Sequence, residues 1–456
     1  MGADKEIIVA LEFGTSSIRG IAGRKKADGT IQILDIEQER ATDAIQRGVI
    51  YNIDKTTQAI TNIITRFNER LNVTIERAYV GVGGQSLHTV PNPVSRSLTT
   101  KVKITPELVD NLMDNNRATT YADSQILEVV PQEYIVGNRA IMDPIGIQTD
   151  HIEAHFMNVV AKNVLLENIN KCMHMAGIEI AELLISPLML ADALLSDSEK
   201  RSGCVMIDFG AGTTTVAVYN GNLLRRLVVI PLGGNNLTND ISAAHQMEFE
   251  EAESLKRKSG VAYVAMESDN PQMIPISNDR TLSENDLQNI IGARQEEIIA
   301  NVWHQIEDIS NTLLSGIIIT GGAAQLKDMP EAIKHFTQFQ KVKLAKSLIT
   351  ISDVDPNVNT PQGHGIDTLI ALLMHGDSNC VKEEKEEEIP AETEQEEEKN
   401  AEEGEKPEVN STDTKEKEKT EELEPEETIE KPKKGFSERW KKFGQAWERL
   451  FEGEEE

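Results

Sequence analysis

The sequence predicts an α/β fold made of two related halves that face each other across a cleft. The main observation is a strand–Gly turn–strand unit that occurs twice, at 7–23 and at 205–219. In each copy an apolar strand ends in an acid, a turn of Gly with small hydroxyl residues follows, and a second apolar strand comes next. A further apolar strand at 316–320 opens onto another Gly-Gly turn. Repetition of one unit in both halves of the chain indicates a duplicated architecture.

Each unit is expected to continue through a tight hairpin into a third strand. Asp28-Gly29 follows the first unit and Asn220-Gly221 follows the second. Such pairs favour two-residue turns, because Gly and Asn tolerate the left-handed backbone that these turns require. For either unit taken alone, an ordinary pair of hairpins in a sheet remains the alternative.

The two Gly turns carry residue types suited to phosphate groups. Glycine has no Cβ, so oriented backbone N–H groups and nearby hydroxyls can surround an anion closely. Each turn follows a carboxylate, Glu12 or Asp208, which repels phosphate but can hold a hydrated Mg²⁺ that bridges to it. We therefore predict that the two units grip a nucleotide triphosphate from both sides. The predicted phosphate-binding residues are Gly14, Thr15, Ser16, Gly210, Gly212, Thr213 and Thr214.

A third group of residues suits the nucleoside. Glu253 and Lys256 lie three apart in a helical segment, which places a carboxylate and an ammonium on one face. Such a pair suits ribose hydroxyls and a purine edge, and Gly-Gly turns occur on either side of it in the sequence. The predicted adenosine-binding residues are Gly233, Gly234, Glu253, Lys256, Gly321 and Gly322.

The order and spacing of these motifs resemble the superfamily of actin, sugar kinases and heat-shock chaperone ATPases. Within it, the chain is similar to the FtsA family of actin-like bacterial division proteins. That resemblance rests on Glu12 where most relatives carry Asp, on VVPQEY (129–134), on AExxKxxxG (252–260) and on ITGGAAQL (319–326). It covers roughly residues 5–376 and implies ATP and Mg²⁺ as ligands. No residue is assigned as a general base, so at most slow ATP hydrolysis is expected.

The resemblance also implies how the chain divides. The first lobe holds a subdomain 1A that is interrupted by an inserted subdomain 1C, and the second lobe holds subdomains 2A and 2B. The implied bounds are 1–85 and 165–204 for 1A, 86–164 for 1C, 205–235 and 305–376 for 2A with its closing helix, and 236–304 for 2B. Subdomain 1C would serve self-association into filaments and late division partners.

Apolar periodicity predicts the helices that cover these sheets. One is expected at 54–71, one starting at Pro106, and a long one from Ser283 to about Asn311. In FtsA-like proteins subdomain 2B binds the C-terminal tail of FtsZ, the tubulin-like division protein. Arg294 lies in IIGARQEEI, which is similar to the tail-binding helix, and would pair with an acidic group of that peptide. A solvated arginine on a helix face is the alternative.

Composition limits the function classes. The chain has 456 residues and a formal net charge of −30, which argues against direct binding to nucleic acid. Its three cysteines show no pairing or C-x-x-C spacing, so we expect buried thiols in a reducing compartment. No signal peptide or apolar run of transmembrane length is apparent, so a cytoplasmic location is expected.

The C-terminal region has two parts. Residues 377–432 are expected to form a disordered acidic linker, because 382–432 carry 23 acidic and 8 basic residues and no aromatic one. Residues 433–456 should form an amphipathic helix with an acidic end. Its cations and its apolar stripe are typical of a helix that lies in a surface of anionic lipid, and packing on a protein groove is the alternative. The predicted membrane-binding residues are Phe436, Trp440, Phe443, Trp447, Leu450 and Phe451.

These features together predict an ATP-binding division protein. It would polymerise at the cytoplasmic face of the cell membrane, at the division site, and anchor the FtsZ ring there. Filaments would multiply weak membrane helices through effective concentration. An actin-like adaptor of a pilus or secretion system and a small-molecule kinase of the same superfamily remain the alternatives.

Overall fold

The computed structural model describes residues 6–26, 28–266, 268–277, 280–356, 358 and 364–382. The predicted acidic linker from residue 383 onward and the predicted amphipathic helix, with its six membrane-binding residues, lie outside this part of the chain. No helix in the described ranges is long and apolar enough to cross a membrane.

Strands and helices alternate along the described part of the chain. The strands are β1 (Ile8–Phe13), β2 (Ser17–Lys25), β3 (Ile31–Arg40), β4 (Ile45–Gln46), β5 (Val49–Ile50), β6 (Arg77–Val82), β7 (His88–Lys103), β8 (Ser124–Val136), β9 (Arg139–Ile141), β10 (Gln148–Lys162), β11 (Glu179–Ile185), β12 (Cys204–Phe209), β13 (Thr214–Asn220), β14 (Leu223–Ile230), β15 (Met273–Ser277), β16 (Arg280–Ser283), β17 (Gly316–Thr320), β18 (Val342–Leu344) and β19 (Asp353–Val354). The α-helices are α1 (Ile53–Leu71), α2 (Pro106–Arg117), α3 (Asn163–Met175), α4 (Ser186–Leu194), α5 (Asp197–Ser202), α6 (Gly234–His245), α7 (Phe249–Ser259), α8 (Glu284–His304), α9 (Met329–Thr337) and α10 (Asp367–His375).

The first lobe is built on a six-stranded sheet in the order β11-β6-β1-β2-β3-β19. Strands β1 to β3 form the predicted antiparallel unit, and β6 runs parallel to β1. Helices approach both faces of β2: a Cβ at Gly20 would meet Ile63 and Phe67 of α1, and one at Gly23 would meet Leu373 of α10. The predicted helix at 54–71 is confirmed as α1, and its apolar stripe is buried against this sheet.

The second lobe contributes β18, β17, β12, β13 and β14 to a nine-stranded sheet. Strands β12 to β14 repeat the antiparallel unit of the first lobe, and β17 runs parallel to β12 as β6 does to β1. A continuous apolar core joins this sheet to α6, α8 and α9. The duplicated α/β architecture predicted from the sequence is confirmed.

The insert between β6 and α3 continues the same nine-stranded sheet with β7, β10, β8 and β9. Helix α2 starts at Pro106, as predicted, and the Thr105 side chain caps it by accepting from Leu108 N–H. One face of α2 packs on the insert's own small core. The side-chain amides of Asn92, Asn116 and Asn158 hydrogen-bond to one another beneath the end of the helix.

Both predicted hairpin turns differ in detail from the structure. The first connection spans residues 26–30 rather than two residues; Lys26 N–H donates to the Thr30 carbonyl and the Asp28 side chain accepts from Thr30 N–H. The second turn is a two-residue turn, but its central residues are Gly221 and Asn222, both at φ 61°. It therefore lies one residue later than Asn220-Gly221, because Asn222 also adopts the left-handed backbone.

The predicted long helix from Ser283 to about Asn311 is shorter in the structure. Helix α8 ends at His304, and a 3₁₀ helix follows at Glu307–Thr312. Arg226 of β14 causes the change, because its guanidinium binds the Gln305 carbonyl and pairs with Asp308 at 2.9 Å. Ile309 N–H then donates to the Ile306 carbonyl at 3.2 Å, as in a 3₁₀ turn.

The chain leaves the first lobe along the edge where β1 and β6 begin. Cys380 N–H donates to the Ile7 carbonyl at 2.8 Å, and Glu76 N–H donates to the Cys380 carbonyl at 3.0 Å. Lys382 N–H donates to the Thr74 carbonyl at 2.8 Å. Residues 377–382 are therefore ordered, and the acidic linker starts after them. Cys172, Cys204 and Cys380 are free and buried, as predicted.

Candidate nucleotide site

The two predicted phosphate turns lie against each other. Each is closed by an equivalent hydrogen bond, from Gly14 N–H to the Ser17 carbonyl at 3.1 Å and from Gly210 N–H to the Thr213 carbonyl at 2.9 Å. A Cβ on Gly212 would come within 2.7 Å of the Thr15 side chain. The two units of the sequence repeat thus meet in space, and only glycine fits at the point of contact.

Glu12 and Asp208 are both largely buried at the ends of their strands. The pKa of Asp208 is raised to about 7, first by burial and then by the nearby Glu12 carboxylate. Burial also raises the pKa of Glu12, although Arg19 partly offsets this effect. Both carboxylates line one cavity of about 80 Å³. Two buried acids that repel each other at a cavity suit a cation, which would favour their ionised forms.

The donor set fits a hydrated Mg²⁺ better than a directly bound metal. The described residues contain no group of three His, Cys, Asp or Glu side chains that could hold a metal. Glu12 Oε2 makes no hydrogen bond to a described residue and lies 3.3 Å from the Arg19 guanidinium. Mg²⁺ keeps several waters and uses one or two carboxylates in such sites, so Glu12 and Asp208 would hold it through water.

Sequence reasoning missed several residues that line this cavity. Gly83 and Gly84 follow β6, and Ser186 begins α4 with a buried hydroxyl that has no hydrogen-bond partner among the described residues. Thr215 and Thr368 complete the wall. The GVGG run at 81–84, at the end of β6, was the available signal.

Arg19 was also missed. It pairs with Glu12 across β1 and β2, and its guanidinium donates to the Gly365 carbonyl just before α10. The equivalent position in the second unit is Thr215, the register partner of Asp208. A cation in an otherwise apolar strand was the signal. Arg19 places a positive charge next to Gly14, where a phosphate would need it.

The Gly233-Gly234 turn packs directly on the second phosphate turn. Gly234 N–H donates to the Gly210 carbonyl at 3.0 Å, and a Cβ on Gly233 would lie 2.7 Å from that same oxygen. Gly321, at φ 93°, closes the other side, because a Cβ there would collide with the Asp208 carboxylate. A Cβ on Gly322 would meet no atom of a described residue within 4 Å, so the space beside this glycine is open. The turns at 14–16, 233–234 and 321–322 therefore all pack against the segment 208–213, and the side next to Gly322 is open.

Glu253 and Lys256 share one face of α7, as predicted, but they bind each other. Lys256 Nζ lies 2.6 Å from Glu253 Oε2, 2.8 Å from Thr238 Oγ1 and 2.9 Å from the Gly234 carbonyl. These three partners use all three ammonium donors. Burial would raise the pKa of Glu253, but the attraction of Lys256 and the hydrogen bonds from Lys256, Thr238 and Arg257 together outweigh it, and the pKa is lowered. The pair ties α7 to the Gly234 turn at the start of α6, and contact with adenosine stays a prediction.

Two predicted hydroxyls already have partners inside the protein. Thr214 is fully buried and donates to the Leu232 carbonyl at 2.9 Å, and Thr15 Oγ1 accepts from Gly48 N–H at 3.0 Å. Thr213 lines the cavity itself. The phosphate-binding capacity of the turns thus comes mainly from their backbone N–H groups.

Arg294 lies in α8, away from these turns, and is half-buried. Its guanidinium makes a bidentate pair with Asp240 of α6, with N–O distances of 2.6 and 3.0 Å, and also binds Glu297. It is therefore not the solvated arginine of the alternative interpretation. A partner's carboxylate would have to compete with Asp240 for it.

Two family models match the chain. Residues 205–362 match the model described as "Cell division protein FtsA", and residues 84–160 match "SHS2 domain inserted in FTSA". The second range corresponds to the insert of β7 to β10.

Curated relatives extend this result over most of the chain. FtsA of Bacillus subtilis is 30% identical over 331 residues, covering 71% of this chain and 75% of the relative. FtsA of Enterococcus faecalis is 31% identical over 326 residues, covering 70% and 74%. FtsA of Porphyromonas gingivalis is 28% identical over 371 residues, covering 78% and 76%.

A solved structure shares the fold at lower identity. The "PilM-PilN type IV pilus biogenesis complex" superimposes with a TM-score of 0.59 at 13% identity, covering 80% of this chain and 97% of that one. This likeness concerns the architecture alone. The curated relatives and the family models confirm the resemblance inferred from the motifs: this chain belongs to the FtsA family of actin-like cell division proteins.

Proposed function

We propose that this chain binds ATP with Mg²⁺ between its lobes, polymerises at the cytoplasmic face of the cell membrane and anchors the FtsZ ring there. The observation that carries the nucleotide part is the packing of three glycine turns against the segment 208–213, with Glu12 and Asp208 facing the same cavity. Backbone N–H groups and a buried pair of carboxylates are the groups that a magnesium-bound triphosphate requires.

Each part of the site has a separate role. The backbone N–H groups of the turns at 14–16 and 210–213 bind phosphate oxygens, and Arg19 neutralises part of their charge. Glu12 and Asp208 hold the waters of Mg²⁺, which supplies the positive charge between acids and phosphates. The nucleoside lies on the open side of Gly322, next to the turn that Lys256 braces.

ATP acts here chiefly as a structural ligand. Ser186 and the threonines at the cavity are neutral, and Glu12 and Asp208 are committed to the cation, so no free base faces the terminal phosphate among the described lining residues. Hydrolysis is at most slow. Binding between the lobes would hold them in the arrangement that assembles into filaments.

The membrane contact is assigned to residues 433–451. Six apolar side chains at helical spacing and a surplus of lysine and arginine favour a surface of anionic lipid. One such helix binds weakly, and a filament carries many of them, so polymerisation strengthens lipid binding through effective concentration.

The FtsZ tail is assigned to the subdomain at 236–304. Arg294 is the cation offered to an acidic group of that peptide, in exchange for Asp240. The insert at 86–164 is assigned to contacts between subunits and with later division proteins.

Two measurements on the full chain test this function. Titration calorimetry with ATP should register binding that is tighter in Mg²⁺ than in a chelator. Co-sedimentation with anionic vesicles should recover the full chain together with an FtsZ tail peptide, and more of it with ATP. A chain ending at residue 432 serves as the control and should keep ATP binding while losing the vesicles. Equal vesicle binding by both chains would disprove the anchoring role.

A further inference from the structure

Strand β14 belongs to the second lobe but is also held by the insert. Along one edge it pairs with β13. At its other edge Val228 pairs with His88 of β7, and the Thr89 hydroxyl accepts from Leu227 N–H at 2.9 Å and donates to the Leu227 carbonyl at 3.3 Å. The Thr89 hydroxyl therefore hydrogen-bonds to both the backbone N–H and the backbone carbonyl of Leu227.

Gln132 of β8 makes the second connection. It is only 7% exposed. Its Nε2 donates to the Leu224 carbonyl at 3.1 Å, and its Oε1 accepts from Arg225 Nη1 at 2.9 Å. A buried amide whose two ends are both satisfied by β14 fixes the insert in one register on that strand, since any slip would leave the amide unpaired.

The other end of β14 leads into the glycine turns. Ile230 pairs with Thr214, the residue that follows the second phosphate turn, and the Thr214 hydroxyl binds the Leu232 carbonyl. Gly233 comes next and packs on Gly210. From Val228 to Gly233 is five residues, or about 16 Å of extended chain. Within this stretch β14 is paired with β7 at Val228 and with β13 as far as Ile230, so a displacement at the turn reaches the contact with the insert through a strand whose bending would break ladder hydrogen bonds.

We propose that the insert senses occupancy of the glycine turns through β14, with Thr89 and Gln132 as the positioning residues that couple them. This inference rests on the proposed nucleotide function. A ligand that orders the turns at 210–213 and 233–234 orders β14, and β14 in turn fixes the orientation of β7 and β8. Coupling of this kind is reciprocal, so a contact that stabilises the insert on β14 would also tighten nucleotide binding.

Hydrogen–deuterium exchange on the full chain tests the coupling. Calorimetry on the same sample first establishes ATP binding with Mg²⁺. ATP should then slow exchange by about fivefold in β12 to β14 and in the peptide 84–94, which is read at its amides 88–94 because Gly84 lines the cavity itself. Thr89→Val preserves the side-chain shape but removes both hydrogen bonds to Leu227. It should abolish the response at 84–94 while leaving the response of the turns intact.

Two further variants keep the test decisive. Gln132→Leu removes the second connection and should act in the same direction. Thr100→Val makes the same chemical change as Thr89→Val at an exposed position of β7 outside the contacts with β14, and should behave as the wild type. If ATP binds and protects the turns but not 84–94, or if Thr89→Val and Gln132→Leu retain the response, the coupling is disproved and the nucleotide function stands. Absence of ATP binding would overturn both.

Discussion

Glu12 and Asp208 occupy equivalent positions in two copies of one strand unit, and their carboxylates face the same cavity. Each is the second-last residue of its strand, and each pairs with the residue seven positions later in the strand that follows. The duplicated unit thus places two acids at one cavity, where burial would make even a single acid costly to ionise. The two acids repel each other, and a cation held near both of them would relieve this repulsion.

Asp208→Asn should remove most of the dependence of ATP affinity on Mg²⁺. The amide cannot attract the cation, so ATP affinity in Mg²⁺ should fall by about tenfold or more, while affinity in a chelator should change little. Without ligand, the variant should melt at a higher temperature, because the repulsion from Glu12 is gone. Calorimetry and thermal unfolding measure these effects.

Asp353→Asn is the matched control for this change, since Asp353 is a half-exposed acid paired with Lys26 outside the cavity. It should leave both measurements near the wild-type values. If Asp208→Asn kept the full gain in ATP affinity that Mg²⁺ gives the wild type, the cation would have to bind elsewhere.

Lys256→Met should destabilise the second lobe. The ammonium satisfies Glu253, Thr238 and the Gly234 carbonyl in a nearly buried position, and its loss leaves the Glu253 carboxylate without its buried cation. We expect the free energy of unfolding to fall by about 3 kcal/mol in denaturant titrations. Arg257→Met is the control: it removes a cation that binds the same Glu253 from an exposed position, and should cost under about 0.5 kcal/mol. If both variants lowered the free energy of unfolding equally, the buried contacts of Lys256 would not be important for stability.

The lowered pKa of Glu253 predicts a direction for acid sensitivity. A carboxyl whose folded pKa lies below its unfolded value binds fewer protons when folded, so the stability it contributes is present above the unfolded pKa, 4.5. That contribution is lost as pH falls through the folded pKa. The stability difference between the wild type and Glu253→Gln should therefore shrink between about pH 6 and about pH 3.5. A difference that grows on acidification would contradict the assigned pairing.

Arg294 and Asp240 should affect FtsZ-tail binding in opposite directions. Arg294→Gln removes the cation and should weaken binding of the tail peptide several-fold. Asp240→Asn releases the same cation from its internal partner and should strengthen binding, at low salt most of all. Fluorescence anisotropy of a labelled peptide measures both, with Arg257→Gln as the exposed-arginine control. If both variants weaken binding equally, the pair has a structural role in the subdomain and no direct contact with the peptide.

The sequence was most informative where the cause of a structure is local. Glycine turns after an acid, and the apolar stripe of α1, depend on neighbouring residues, so their positions could be predicted. The turn at Gly221-Asn222 shows the limit of this reasoning, because Asn220-Gly221-Asn222 permits two placements and the paired register of β13 and β14 selects one.

The remainder depends on contacts between distant segments. Arg19 acquires its role from Gly365, which lies 346 residues later, and α8 ends where Arg226 of another strand takes a carbonyl. Arg294 has an internal partner, Asp240, which lies on a different helix, and its contact with the FtsZ tail stays a prediction. Such pairings become visible only when the chain is folded.

The exit of the chain at Lys382 has a mechanical consequence. Tension applied to the linker is first borne by the hydrogen bonds that Cys380 and Lys382 make with Ile7, Glu76 and Thr74. Ile7 continues directly into β1, the strand that carries Glu12. A load on the chain beyond Lys382 would therefore act on the strand that carries the proposed cation ligand Glu12, from its opposite end.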